Sequence, residues 1–175
     1  MWNSPQAWAL VVDEVADKLA AVDPESAADY QTNAERYRAE IAAADRAAEE
    51  LLAGVAEPRL LITGHDAFAY FGATYDLQVQ ATDFISSEAQ LSATQLSELA
   101  RLIAEQGVPV IFLDNQANPQ AIRSLQGAVH ALGWDVKVSD QELYADSLGA
   151  APGVDTYLGV LGHNARAIAD GLGKE

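Results

Sequence analysis

At 175 residues, half of them hydrophobic, the chain is long enough for one sizeable domain with a real core, which excludes disorder. A net charge of −16 excludes nucleic acid as a partner, since phosphate binding needs clustered Lys and Arg, and it favours cations beyond its solubilising effect. The absence of cysteine excludes disulfides and thiolate metal sites, so a transition-metal site would have to use His, Asp or Glu.

No apolar run approaches the roughly 20 residues that span a bilayer. The start, Met1-Trp2-Asn3-Ser4-Pro5, lacks the basic-then-apolar pattern of a signal sequence. The chain is therefore read either as intracellular or as a mature or shortened part of an exported protein.

Ser4-Pro5 is a helix start, and Trp8, Val11, Val12, Val15, Leu19 and Val22 recur on one helical face. Asp23-Pro24 repeats the signal. A second stripe runs through Tyr30, Ala34, Tyr37, Ile41, Ala44, Ala48 and Leu51, with Gly54 as its stop. About 30 helical residues at 1.5 Å rise give a rod of roughly 45 Å, long for a small domain. From residue 58 the texture changes to short apolar strands alternating with helices. Strands are expected at Leu60 to Thr63, Leu77 to Ala81, Val108 to Leu113 and Trp134 to Val138. Between them lie helices through Phe68, Tyr70 and Phe71, through Leu96 to Ile103 after the capping box Ser92-Ala93-Thr94-Gln95, and through Ile122 to Leu132 after Asn118-Pro119. A terminal helix carries Tyr157, Leu161, Asn164, Ile168 and Leu172. This alternation implies an α/β fold: a four-stranded, mainly parallel sheet flanked by helices and preceded by one helix and a long one.

In open parallel sheets ligands gather at the carboxyl ends of the strands. His65 and Asp66 stand there after the first strand, Asp114 and Asn115 after the third, and Asp146 in the loop after the fourth. His130 and His163 fall inside helices, where surface or packing roles are expected. A metal site needs a neutral imidazole and converging carboxylates. His65 and Asp146 supply two such donors, with Asp114 or Glu88 as supporting groups behind them. On spacing alone, a strand-end histidine that simply caps the helix that follows is the default reading of His65. Dinucleotide, P-loop and nucleophile-elbow motifs are absent, and Ser86, Ser87 and Ser147 lack the setting of a nucleophile. No enzyme is expected.

Thr63-Gly64-His65-Asp66-Ala67-Phe68-Ala69-Tyr70-Phe71 resembles the T-[SAG]-H-D-A-F-x-Y-F stretch of TroA-like solute-binding proteins. Glu142-Leu143-Tyr144-Ala145-Asp146-Ser147-Leu148-Gly149 resembles that family's E-L-[YF]-x-D-[SA]-[LM]-G, and Asp155-Thr156-Tyr157-Leu158-Gly159 with His163-Asn164 resembles its closing helix. Looser matches are Phe84 to Glu88 and Ile111 to Asp114, where relatives more often have Glu at position 114. The resemblance covers essentially the whole chain in order. It implies a periplasmic or extracellular, membrane-anchored binding component of an ABC transporter, capturing Zn2+ or Mn2+ between two lobes for a permease subunit. His65 and Asp146 would be two ligands, and His at 65, where manganese-selective relatives often carry Glu, tilts the expectation toward zinc.

The resemblance further implies that residues 3–22 end an amino-terminal lobe, 24–54 bridge the lobes, and 58–175 form the carboxy-terminal metal-binding lobe. Two histidines of the family, one of them in a D-P-H-x-W motif before the equivalent of Trp2, have no counterpart here, so the site is expected to be incomplete. The first helix should then lack packing partners, and either dock onto the long helix or form a homodimer with a second copy. A surface adhesin of the same fold, or an α/β enzyme, is the alternative.

Overall fold

The computed structural model describes residues 1–82, 92–115 and 119–173. Helix α1, Pro5–Val22, begins where the Ser4 hydroxyl accepts from the Ala7 amide, with Pro5 in the first turn. A single 3-10 turn, Pro24–Ser26, leads into α2, Ala27–Leu52, whose 26 residues give a length of about 39 Å. The two helices run antiparallel, as the pairs Asp17 with Gln31, Asp13 with Arg38 and Gln6 with Asp45 show.

Helix α1 thus docks on the long helix, one of the two arrangements expected for it. Docking covers only a strip of its apolar face. Ala16 is buried, whereas Val15, Leu19 and Val22 stay exposed, because one neighbouring helix covers less than the full width of an apolar stripe. On α2 the buried positions are Ala34, Ile41, Ala48 and Leu52.

Strands β1, Leu60–Thr63, and β2, Gln78–Ala81, pair in parallel with Leu60 opposite Gln78. Strands β3, Val110–Ile111, and β4, Lys137–Val138, form a second parallel pair. A parallel bridge between Thr63 and Phe112, with the Phe112 amide donating to Ile62 O at 2.9 Å, joins the pairs in the order β2-β1-β3-β4. The crossovers between successive strands carry α3, Ala69–Tyr75, α4, Ala93–Gln106, and α5, Pro119–Ala131, and α6, Tyr157–Leu172, closes the chain.

Strand alternation sends side chains to two cores. Leu61, Val110 and Phe112 pack with Phe68, Phe71, Leu52 and Ile168 on one face. Leu60, Ile62 and Ile111 pack with Leu99, Ile103, Ile122 and Leu125 on the other. The chain is therefore α/β with helices on both faces of a parallel sheet, as the alternation of elements predicts.

Local signals explain the boundaries. Ser92 and Gln95 form a reciprocal capping box, and Gly107, at φ 64°, closes α4 in the left-handed conformation. Strand β4 is shorter than its expected span, Trp134 to Val138. Gly133, at φ 87°, turns the chain so that the Trp134 amide reaches back to Val129 O in α5, while the indole donates to Val108 O at 2.7 Å. Trp134 thus closes a helix instead of opening a strand. No helix among the described residues is long and apolar enough to cross a membrane.

One carboxylate gathers three helices. Asp45 of α2 accepts from Gln6 of α1 at 2.7 Å and from the Tyr75 hydroxyl of α3 at 2.8 Å. Burial, and then the bond to Asp45, pushes the Tyr75 hydroxyl well above its ordinary pKa, and burial does the same to Tyr157. A phenol whose folded pKa is raised keeps its proton longer folded than unfolded. Its contribution is therefore complete below the unfolded pKa of about 10 and is lost as pH rises, at up to about 1.4 kcal/mol per pH unit for each group. Urea unfolding between pH 9 and pH 11.5 should show falling stability, with a shallower fall in Tyr75→Phe. Parallel curves for the two proteins would refute the assignment.

Candidate metal centre

The strand order places β1 beside β3, with the connections from each leaving toward opposite neighbours. This is the topological switch point, where open parallel sheets characteristically bind ligands beyond the carboxyl ends of the strands. His65 follows β1 there, on a turn fixed by its own surroundings. The Thr63 hydroxyl donates to His65 O at 3.0 Å, the Ala67 amide donates to the same oxygen, and the Thr82 hydroxyl reaches Thr63 O and Gly64 O at 3.1 Å each.

Asp146 sits on a loop with almost no regular structure, and side chains hold its backbone instead. Asn164 of α6, 1% exposed, accepts from the Tyr144 amide at 3.0 Å and donates to Tyr144 O at 2.9 Å. Asn115 accepts from the Ala145 amide at 3.1 Å and donates to the Ser147 hydroxyl at 2.7 Å. The Trp2 indole donates to Ala145 O at 2.7 Å, and His163 Nε2 lies 2.8 Å from Glu142 O. The roles of Trp2 and Asn115, and the loop-holding role of Asn164, carried no periodic signal in the sequence. Of these, Asn164 and Trp2 stand at positions that the family motifs mark.

The two loops bring His65 Nε2 within 2.8 Å of Asp146 Oδ2. The histidine side chain is 16% exposed and the aspartate 55%, so the pair faces solvent from the aspartate side. His65 Nδ1 is buried without a hydrogen-bond partner. The outward Nε2 and the Asp146 carboxylate are thus the groups available to an incoming cation, and an imidazole with a carboxylate suits zinc or a similar divalent ion.

The other candidates fall as follows. Asp114 is buried, 2% exposed, where its backbone bridges Leu143 beside the Asp146 loop. Glu88 lies outside the described residues, as do Ser86 and Ser87. His130 sits 3.0 Å from Asp135 on the surface, away from the pair. Among the described residues no three His, Cys, Asp or Glu side chains converge as a metal-binding group.

A family model described as the periplasmic component A of the zinc-uptake complex, ZnuA, matches residues 1–171. The chain belongs to the ZnuA family. It is 30% identical to the zinc-binding protein TroA of Treponema pallidum over 99% of the chain and 57% of that protein. It is 28% identical to the manganese-binding lipoprotein MntA of Bacillus subtilis, over 98% of the chain and 56% of that protein. The solved structure of Treponema pallidum TroA superposes with a TM-score of 0.91 at 28% identity, covering 99% of this chain and 63% of that one. The TroA-like fold expected from the motifs is thus the fold observed. The chain spans little more than half the length of these relatives. The family is one of periplasmic solute-binding components, described by its part in zinc uptake.

Proposed function

We propose that this chain supplies one side of a metal-capture site, with His65 and Asp146 as its ligands, in a binding component that delivers zinc or manganese to an ABC permease. The contact between His65 Nε2 and Asp146 Oδ2, at the sheet's switch point, carries this reading. Family membership supports it, as does the naming of relatives for zinc and manganese.

Residues 58–175 would form the carboxy-terminal lobe and residues 24–54 the bridge to a facing lobe. A four-coordinate site needs two more donors, which this reading places on that facing lobe. The protein would act by periplasmic capture and release, with no catalytic step. Its selectivity would come from pairing an imidazole with a carboxylate, a mixed set that favours zinc over a purely oxygen-based site.

Calorimetric titration with Zn2+ tests the ligand assignment. The chain is expected to bind one zinc weakly, roughly 10- to 100-fold more tightly than His65→Ala or Asp146→Ala. Equal heats from the parent chain and the double variant His65→Ala, Asp146→Ala, both folded, would overturn the assignment.

A further inference from the structure

We infer that Asn3 is a positioning residue that sets the spacing between the two loops carrying His65 and Asp146; the inference rests on the reading of those residues as ligands. Asn3 precedes α1 and is buried, with 6% exposure. Its side-chain nitrogen donates to Ala67 O at 3.0 Å and to Ala145 O at 3.3 Å. Ala67 lies two residues after His65, and Ala145 immediately precedes Asp146. One amide group, with two N–H donors, therefore links two loops distant in sequence, one hydrogen for each.

Trp2 reinforces the link from the adjacent position. Its indole is a second donor to Ala145 O at 2.7 Å, and its own carbonyl accepts from the Tyr157 hydroxyl at 3.1 Å. The peptide entering α1 is thus fastened to α6 and to both loops.

The direct bond between His65 and Asp146 cannot do this job once metal arrives. Zinc bonds of about 2.1 Å at tetrahedral angles hold two ligand atoms roughly 3.4 Å apart. The two atoms lie 2.8 Å apart, closer than that spacing, so a cation held between them requires a wider separation than their direct bond allows. Asn3 touches only backbone carbonyls, so its bridge can persist through that separation. It fixes how far apart the ligands rest and limits how far they part.

The test uses Zn2+ competition against a chromophoric chelator, well below the unfolding midpoint, on the full chain and on Asn3→Ala, Asn3→Asp, His65→Ala and Tyr75→Phe. Long-range proton–nitrogen spectra of the His65 ring in metal-free protein report the bond to Asp146 independently of metal. Asn3→Ala should lower zinc affinity about tenfold and broaden the His65 Nε2 proton signal. Asn3→Asp, which sets a carboxylate oxygen against two carbonyls, should lower it further. Tyr75→Phe, which loosens the helices away from the loops, should leave affinity unchanged. A merely structural Asn3 would instead make its variants behave like Tyr75→Phe.

Affinity that depends on His65 but is the same with and without Asn3 would overturn the positioning role and leave the ligand assignment standing. Equal affinity in the parent and His65→Ala would overturn the ligand assignment. In that case an unaltered His65 ring signal in Asn3→Ala would overturn the positioning role as well.

Discussion

Replacement of Arg59 by alanine is expected to lower the unfolding free energy by about 4 kcal/mol, a large share of the stability of a typical domain. The Arg59 guanidinium donates to four backbone carbonyls. Nη1 reaches Leu52 O at 3.2 Å and Val55 O at 2.6 Å, Nη2 reaches Tyr75 O at 2.8 Å, and Nε reaches Asp76 O at 2.7 Å. Leu52 ends α2, and Tyr75 and Asp76 end α3, so one cation serves the negative ends of two helices. Without it, partly buried carbonyls at both ends lose their donors. Arg59→Lys should recover less than half of the loss, because an ammonium cannot reproduce the planar fork that spans all four oxygens. Chemical unfolding followed by circular dichroism measures both. A change within about 0.5 kcal/mol for the alanine variant would show that water replaces the guanidinium without cost.

Asn164→Ala is expected to cost about 3 kcal/mol and to loosen the Asp146 loop. Asn164 satisfies both the amide and the carbonyl of Tyr144, which itself pairs with no strand among the described residues. Hydrogen exchange at the amides of Tyr144 and Ala145 should therefore accelerate by more than exchange at the core of α4, which lies on the other face of the sheet. Asn164→Asp should be worse than alanine for the carbonyl side, since it turns a carboxylate oxygen toward Tyr144 O. Uniform acceleration across the molecule would mean that Asn164 acts on global stability and not on the loop.

These two residues mark the boundary of what the sequence reveals. Local rules carry the architecture. Ser92 with Gln95, Gly107 and the apolar face of α5 announce their elements because the physics acts within a turn or two of helix. The α/β alternation follows from the same periodicities.

Contacts between distant segments have no such period. Arg59 could have been a surface charge, and nothing in its neighbours announces four carbonyls. The adjacent Trp2 and Asn3, together with Asn115 more than a hundred positions on, hold the Asp146 loop from two separate parts of the chain. Strand-end position marks both His65 and Asp146 as possible donors, but spacing alone carries little weight for the pair, and the motif resemblance is what singles them out. The apolar run of α1 shows a different limit. Its period is helical throughout, but how much of the face is covered depends on what packs against it, and Val22 remains 85% exposed.

The two members of the His65–Asp146 pair stand 81 positions apart along the chain. They meet because the crossovers from β1 to β4 bring both loops to one end of the sheet and Asn164 of α6 holds Tyr144. Loops of that span form late, because their closure entropy must be met before any contact repays it. A cation bound by this pair can therefore hold the finished fold together but cannot seed it. Under the proposed function, metal occupancy of the site would certify that the chain has completed its topology.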